Sequence, residues 1–229
     1  MSKGFFALCY HYIRQNNNDP FPRILGIKLD DFNEHVKMIK NEFEILSLDR
    51  VHSLYTKKFE LSKDKIGLLV TFDDGLADQF EAAKILSEND ISAIFFIPTC
   101  IITEELPANP IILHYAIAIH GIKKFIEELK QIFEELIIKN QNIIPEFSKE
   151  NDKIWKIIED IKILLYYKIK PEETRRILLE IYKRLLIKNN ITINDMHLTK
   201  KTNKKIIRNG SQYRYTFTYT YFCSKFRIN

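Results

Sequence analysis

The sequence predicts an α/β protein with a parallel sheet or barrel and a large all-helical segment. Two observations support the α/β part: continuous apolar runs, which are typical of buried parallel strands, and helical patterns between those runs. A third observation predicts the helical segment. From about Glu104 the pattern of apolar residues changes, and only helical patterns follow as far as Asn190.

The α/β part is predicted to begin with a buried strand, because residues Gly4 to Ile13 are rich in aromatic and apolar side chains. The stretch QNNNDPFPR has the composition of a loop. LDDFNEHVKMIKNEF then predicts a helix that begins with an aspartate cap, since its apolar residues recur at helical spacing. A short strand is predicted from Glu44 to Leu48.

The most strand-like run of the chain is KIGLLVTF, which is apolar on both faces, as parallel strands covered by helices are. The pattern LADQFEAAKILSEND predicts a helix after it, and ISAIFFIPT predicts a further buried strand that Pro98 ends. This alternation of strands and helices is typical of a parallel sheet with helical crossovers.

The helical segment is predicted to contain three long helices, in IKKFIEELKQIFEELIIKN, DKIWKIIEDIKILLYY and PEETRRILLEIYKRLLIKN. Their Ile, Leu and Phe stripes favour core-facing surfaces over contacts with partners or membranes. LTKKTNKKIIRNG then predicts one more helix, capped by Thr199 and ended by Gly210.

Length and composition, with 229 residues of which 45% are hydrophobic, indicate one globular domain or one domain with a large insertion. The net charge of +5 is concentrated around KKTNKKIIRNG, where a solvated helix is favoured over a nucleic-acid patch. Cys9, Cys100 and Cys223 are too far apart to indicate a disulfide framework or a zinc knuckle. We expect no nucleic-acid partner, no transmembrane segment and a cytoplasmic location; the oligomeric state stays open.

Two adjacent carboxylates, Asp73 and Asp74, directly follow the run KIGLLVTF. One interpretation is that they only build a strand-to-helix turn with Gly75. A functional interpretation is favoured, because adjacent carboxylates repel each other and ligands of α/β sheets bind at the carboxyl ends of the strands. In that position one aspartate could hold a metal while its neighbour faces a reacting water.

The stretch TFDDG, from Thr71 to Gly75, resembles the first motif of the polysaccharide deacetylases, the NodB-type carbohydrate esterases. LCYHYI is similar to the opening strand of that family, with its Tyr-His pair, and ISAIFFIPT is similar to the strand after the motif helix. LTKKTNKKIIRNG resembles the helix before the second motif. The resemblance covers residues 4 to about 101 and 197 to 210.

The resemblance implies an activity and a set of site residues. Asp73 would be the general base that activates water, and Asp74 would be a ligand of a divalent metal, usually zinc. The implied partner is an N-acetylated glycan substrate. His11 is a candidate pocket residue, and an ordinary hydrogen-bonded core histidine is the equal alternative.

The resemblance also implies a domain organisation. Residues 1–103 would form the N-terminal half of a partial (β/α) barrel of the deacetylase kind, and residues 104–195 would be a large helical insertion. Residues 196–229 would return to the barrel with an atypical tail.

The tail departs from the family pattern, because no histidine follows His197 and the second motif supplies two histidine ligands. The alternating Tyr and Thr in YTFTYT predict an edge strand. A reading-frame shift of one nucleotide at Gly210 permits histidine codons at Ser211, Thr216, Thr218 and Thr220. We therefore expect a frameshifted, truncated chain with impaired activity and weak metal binding; a naturally divergent terminus is the alternative.

Two other classes of function stay open. The chain could be a non-catalytic binding or scaffold protein whose helical insertion carries the interaction. A phosphatase or receiver domain also uses an aspartate at a strand end, but those proteins need a different sequence context around it.

Overall fold

The computed structural model describes residues 4–62, 64–136 and 154–199, together with the backbone of residues 215–220. These residues belong to two compact units. Within the described part of the chain, the first unit consists of residues 4–20, 25–106, 193–199 and 215–220, and the second of residues 21–24, 107–136 and 154–192. The domain boundaries given above stay predictions.

The first unit contains a five-stranded parallel sheet around the strand β5 (Ile66–Phe72). β5 pairs with β1 (Phe5–Tyr10), β4 (Phe43–Ile45) and β6 (Ala93–Pro98), and β6 pairs with β7 (Tyr215–Thr220). Since all of these pairs are parallel, the carboxyl ends of β1, β5 and β6 meet at one edge of the sheet.

The two edges of β5 carry different neighbours. Gly67 pairs with residues of both β1 and β4, and Phe72 pairs with residues of both β1 and β6. β1 therefore lies along one edge of β5, while β4 and β6 share the other. The described strands form an open sheet and no closed barrel, so the partial barrel and its helical insertion stay predictions.

The prediction of a buried first strand is wrong for most of β1. Phe6 is 62% exposed, and in β1 only Tyr10 is buried. The physical reason is the position of β1, which pairs only with β5 among the described strands. The predicted strand also breaks after Tyr10 and resumes as β2 (Ile13–Arg14), which pairs in parallel with β3 (Ile27–Lys28).

The helix α1 (Leu29–Glu42) has the predicted buried face, formed by Phe32, Val36 and Ile39. The predicted aspartate cap is wrong. The capping position is Lys28, and Asp30 lies inside the first turn, where the helix dipole favours an acidic side chain. The Asn16 side chain accepts a hydrogen bond from the Asp30 N–H at 3.1 Å instead.

Between β4 and β5 the chain forms α2 (Leu48–Tyr55), which the sequence patterns did not predict. Ser47 caps this helix by accepting a hydrogen bond from the Arg50 N–H at 3.3 Å. The helix has no fully buried residue, and it spans only eight residues, so its apolar positions are too few to establish a helical period.

The predicted helix and strand after β5 are present as α3 (Gln79–Glu88) and β6, which is followed by the short helix α4 (Thr99–Thr103). The interior of this unit contains an aromatic cluster. The Phe72 ring is stacked on Phe95 with ring centroids 4.6 Å apart, and Phe32 and Tyr10 pack against Phe72. These contacts fix the carboxyl end of β5 in the core.

The helix α8 (Ile193–Met196) and the residues after it belong to the first unit and contact the turn that follows β5. His197 forms an antiparallel bridge with Leu76. The Ala77 N–H donates to the Met196 carbonyl at 3.0 Å, and the Leu198 N–H donates to the Gly75 carbonyl at 2.8 Å.

The second unit is mainly helical. It contains α5 (Asn109–Glu135), which bends at Gly121, where φ is +81°. It also contains α6 (Ile154–Ile163) with a π-helical turn at Leu164–Lys168, and α7 (Pro171–Ile181), which continues into a second π-helical turn, Tyr182–Leu186. Arg175 ties α7 to the start of α5 by donating to the Asn109 side chain at 2.8 Å.

Several predictions concern residues outside the described part of the chain. They are the join between the first two insertion helices (137–153), the helix that follows Thr199 and the reading-frame hypothesis for the tail. None of the helices in the described part of the chain combines the length and the apolarity that crossing a lipid bilayer requires.

Candidate active site at the carboxyl edge of the sheet

Asp73 is the first residue after β5. The buried ring of Phe72, the last residue of β5, fixes the position of the Asp73 backbone. The Asp73 N–H donates to the Tyr10 carbonyl at 3.0 Å, which extends the pairing of β1 with β5 by one residue. The Asp73 side chain is half-buried. Asp73 therefore lies at the carboxyl edge of the sheet and is only partly exposed to solvent.

Asp74 and Gly75 turn the chain away from the sheet through two consecutive left-handed residues, with φ of +69° and +53°. A β-carbon on Gly75 would lie 3.1 Å from Ile97 Cγ2, so both the conformation and the space favour glycine there. Aspartate is among the few other residues that enter this region readily. The sequence Asp-Asp-Gly therefore builds the turn and presents two carboxyl groups at once.

Gln79 connects this turn to the end of β1. Its side chain is fully buried, and its Oε1 accepts a hydrogen bond from the Leu76 N–H at 3.1 Å. Its Nε2 donates to the Asp73 carbonyl at 2.6 Å and to the His11 carbonyl at 3.1 Å. One amide thus satisfies three backbone groups that the sheet and the helix leave unpaired.

His197 supports the turn from the other side. Its Nδ1 lies 3.1 Å from the Asp74 carbonyl oxygen and 3.2 Å from the Gly75 carbonyl oxygen. Because carbonyl oxygens only accept hydrogen bonds, Nδ1 carries the proton. Burial lowers the pKa of His197 to about 4, although both hydrogen bonds oppose that shift, so the ring is neutral at pH 7.

Cys9, His11 and Asp73 bring a sulfur, a nitrogen and an oxygen together at the ends of β1 and β5. One ligand atom of each lies within 4.8 Å of those of the other two. Cys9 and His11 are exposed. These residue types are ligands of zinc and similar cations, so the residues present fit a divalent metal.

The Asp74 carboxyl is not part of this group of three, but the charges of His11 and Asp73 affect its pKa. Burial raises the pKa of Asp74; a positive charge on His11 lowers it, and the negative charge of Asp73 raises it further. Burial also raises the pKa of the Cys9 thiol, a shift that a hydrogen bond with Thr71 opposes. The site thus contains carboxyl, imidazole and thiol groups under mutual electrostatic influence.

A buried ion-pair network connects Arg14 of β2 with two acidic side chains. The Arg14 guanidinium contacts Asp78 at 2.9 Å and also pairs with Asp19, and all three side chains are largely buried. The Ile13 N–H donates to the same Asp78 oxygen at 3.2 Å. Burial raises the pKa of Asp78 to about 7, against the opposing charge of Arg14. The network joins β2 to the residue before α3.

The sequence motif led to Asp73, Asp74 and His11, and the structure places all three at the carboxyl edge of the sheet. Their roles as base, metal ligand and pocket residue stay predictions. Sequence reasoning missed Cys9 as a site residue, although Cys-x-His at a strand end places both side chains on one face. It also missed three residues that act through long-range contacts, namely Gln79, His197 and Arg14.

Comparisons with protein-family models and with curated proteins find no match for this sequence. Solved structures with a similar fold are the Streptococcus pyogenes deacetylase PplD in complex with acetate (22% identity, TM-score 0.39) and a de-N-acetylase from Aggregatibacter actinomycetemcomitans (20% identity, TM-score 0.37). IcaB from Ammonifex degensii is a third (18% identity, TM-score 0.37).

The similarity covers 46% of this chain for the first two structures and 51% for the third. It spans 46%, 40% and 50% of those proteins respectively, so this chain matches half or less of each. Two of these structures, PplD and the Aggregatibacter protein, are named as a deacetylase and a de-N-acetylase. Because the TM-scores are low, the proposals below rest on the residues of this chain.

Proposed function

We propose that this chain is a metal-dependent N-deacetylase, which hydrolyses the acetamide group of an N-acetylated sugar in a glycan. The observation that carries the proposal is the position of Asp73 and Asp74 directly after β5, at the carboxyl edge of a parallel sheet, with Asp73 beside His11 and Asp74 in a left-handed turn. Hydrolysis of an amide needs a proton acceptor and a stabilised carbonyl oxygen at one place. The resemblance of TFDDG to the deacetylase motif supports the substrate class.

In the proposed mechanism, Asp73 accepts a proton from a water molecule whose oxygen adds to the acetamide carbonyl carbon. The carbon–nitrogen bond then breaks, the nitrogen takes up a proton, and the products are acetate and the free amino sugar. Asp74 is the proposed metal ligand, and His11 lines the pocket. When bound, a divalent metal, zinc by the resemblance, supplies Lewis-acid polarisation of the carbonyl.

The proposal is tested by measuring acetate release from N-acetylglucosamine oligomers by the purified chain, before and after treatment with a chelator. We expect slow release from the 229-residue chain, since among its residues only Asp74 corresponds to the metal ligands of the resembled family. Asp73→Asn should lower the rate by roughly 100-fold or more, the usual contribution of a general base. The exposed Asp49 offers a matched control, and Asp49→Asn should leave the rate unchanged.

Two results would contradict the proposal: equal rates for the wild-type and Asp73→Asn chains, or no acetate release by the wild type at any concentration of added zinc. Persistence of the full rate after chelation and dialysis would contradict the metal dependence alone.

A second candidate function is binding through the helical unit. It is favoured by the exposed apolar side chains on and after α6, of which Trp155 is 72% and Tyr167 is 81% exposed. A cellular phenotype that survives Asp73→Asn but is lost with Trp155→Ala and Tyr167→Ala would favour this function over the enzymatic one.

A further inference from the structure

The register of the sheet places three metal-binding residue types side by side. Tyr10 is opposite Phe72 in the parallel pair of β1 and β5, so the next residues, His11 and Asp73, follow at the same edge. Cys9 precedes His11 by two residues, and side chains two residues apart on an extended strand lie on one face.

The distance between Cys9 and His11 is close to that of two ligands in a metal centre, and Asp73 lies nearby. Cys9 Sγ lies 4.0 Å from His11 Nδ1, and the ligand atoms of all three residues are within 4.8 Å of one another. In a tetrahedral zinc site, bond lengths of about 2.3 Å to sulfur and 2.0 Å to nitrogen place the two ligand atoms about 3.5 Å apart. The Cys9 and His11 side chains need to approach each other by only about half an ångström.

The backbone beneath the group is held in place before any metal binds. The Asp73 N–H is bonded to the Tyr10 carbonyl, and the Gln79 amide holds the His11 and Asp73 carbonyls at 3.1 and 2.6 Å. The strands that present Cys9 and Asp73 are thus fixed relative to each other, while the exposed Cys9 and His11 side chains can still reorient.

The chemistry of the three ligands selects the cation. A thiolate and an imidazole favour zinc and disfavour magnesium and calcium, which prefer oxygen ligands. Three protein ligands also leave the fourth tetrahedral position open, as in zinc sites that bind a small molecule.

We propose that Cys9, His11 and Asp73 form a zinc site. It differs from the metal ligand that the deacetylase resemblance implies, because it uses a thiolate from β1 and takes Asp73 in place of Asp74. When zinc occupies it, the Asp73 carboxylate is engaged as a ligand and is not free to accept a proton. The site itself does not depend on the proposed hydrolysis.

The test is a zinc titration of the reduced, metal-free chain against a chromophoric chelator. We expect one zinc per chain, and roughly a tenfold or greater rise in Kd for Cys9→Ala and for His11→Ala, since even residues outside the ligand shell contribute that much. Cobalt in place of zinc should give a near-ultraviolet thiolate-to-metal charge-transfer band that disappears with Cys9→Ala.

Matched controls separate this site from adventitious binding by other thiols and imidazoles. Cys100→Ala removes the buried cysteine and His52→Ala removes an exposed histidine outside the group, and both should keep the wild-type Kd and cobalt spectrum. Because Cys9 and His11 are exposed, their variants should keep the circular-dichroism spectrum and thermal midpoint of the wild type.

The site is overturned if the folded wild-type chain binds no zinc, or if Cys9→Ala binds zinc as tightly as the wild type does. These failures are distinguishable from a failure of the proposed function. Zinc held by Cys9 in the wild type, together with no acetate release by the Cys9→Ala chain, whose Asp73 is not engaged by zinc in this site, supports the site and contradicts the hydrolase. Acetate release by a chain whose zinc affinity does not depend on Cys9 supports the hydrolase and contradicts the zinc site.

Discussion

The turn after β5 favours glycine over every other residue at position 75. The φ of +53° at Gly75 is unfavourable for residues with a β-carbon, and that atom would lie 3.1 Å from Ile97 Cγ2. Gly75→Ala should therefore destabilise the fold by about 1–2 kcal/mol, measured by urea denaturation. The control is Gly4→Ala, where the added carbon would meet nothing within 4 Å, and an equal loss for both variants would contradict this account.

His197 makes the stability of the chain depend on pH. Its pKa is about 4 in the folded chain and 6.5 in the unfolded chain, so the unfolded state binds a proton first as the pH falls. The stabilising contribution of the neutral ring is therefore complete above pH 6.5 and is lost as the pH falls to about 4. That loss amounts to roughly 3 kcal/mol in the free energy of unfolding.

The variant His197→Asn isolates this effect, because an Asn side chain can donate to the same carbonyls but does not titrate. We expect the variant to be less stable than the wild type at pH 7 and the difference to shrink as the pH falls from 6.5 to 4. Asp78, whose raised pKa acts in the opposite direction, is present in both chains and cancels in the comparison. Parallel pH profiles of the unfolding free energy would contradict the prediction.

At the scale of elements, the Arg14 network connects β2 to the start of α3. Arg14→Met should cost about 3–5 kcal/mol in the free energy of unfolding, because it leaves the buried carboxylates of Asp19 and Asp78 without their cation. The measurement is chemical denaturation at pH 7.

A surface ion pair provides the control for Arg14. Lys37 and Glu34 pair at 2.7 Å on α1, but their side chains are 67% and 70% exposed. Lys37→Met should therefore change the unfolding free energy by less than about 1 kcal/mol. If both substitutions cost the same, burial does not determine the contribution of the Arg14 network.

At the scale of the whole molecule, β1 presents an unpaired edge among the described strands and an exposed Phe6. Such strands promote self-association through the free backbone groups. Phe6→Lys should reduce association of the purified chain, measured by light scattering over a concentration series. Met38→Lys makes a similar charge change at a half-exposed residue of a helix, and it should have a smaller effect.

If light scattering falls equally with Phe6→Lys and Met38→Lys, added charge accounts for the change and the strand edge does not. If neither variant changes it, β1 is not an association site of this chain.

The buried strands β5 and β6, the apolar face of α1 and the helical character of the second unit could all be predicted from the sequence, because they depend on local apolar runs and periodicity. The sequence also shows that two carboxyl groups and a glycine follow the most apolar strand. It did not determine the exposure of β1, since burial depends on which strands pair beside it.

The composition of the site depends on long-range packing, which local sequence patterns do not report. Cys9 and His11 meet Asp73 through the register of β1 with β5. His197 reaches the Asp74 carbonyl across 123 residues of sequence. Periodicity reports which face of an element is apolar, but it holds no information on register or on which distant segments pack together. The pattern of the chain therefore located the site, and long-range packing determined which side chains complete it.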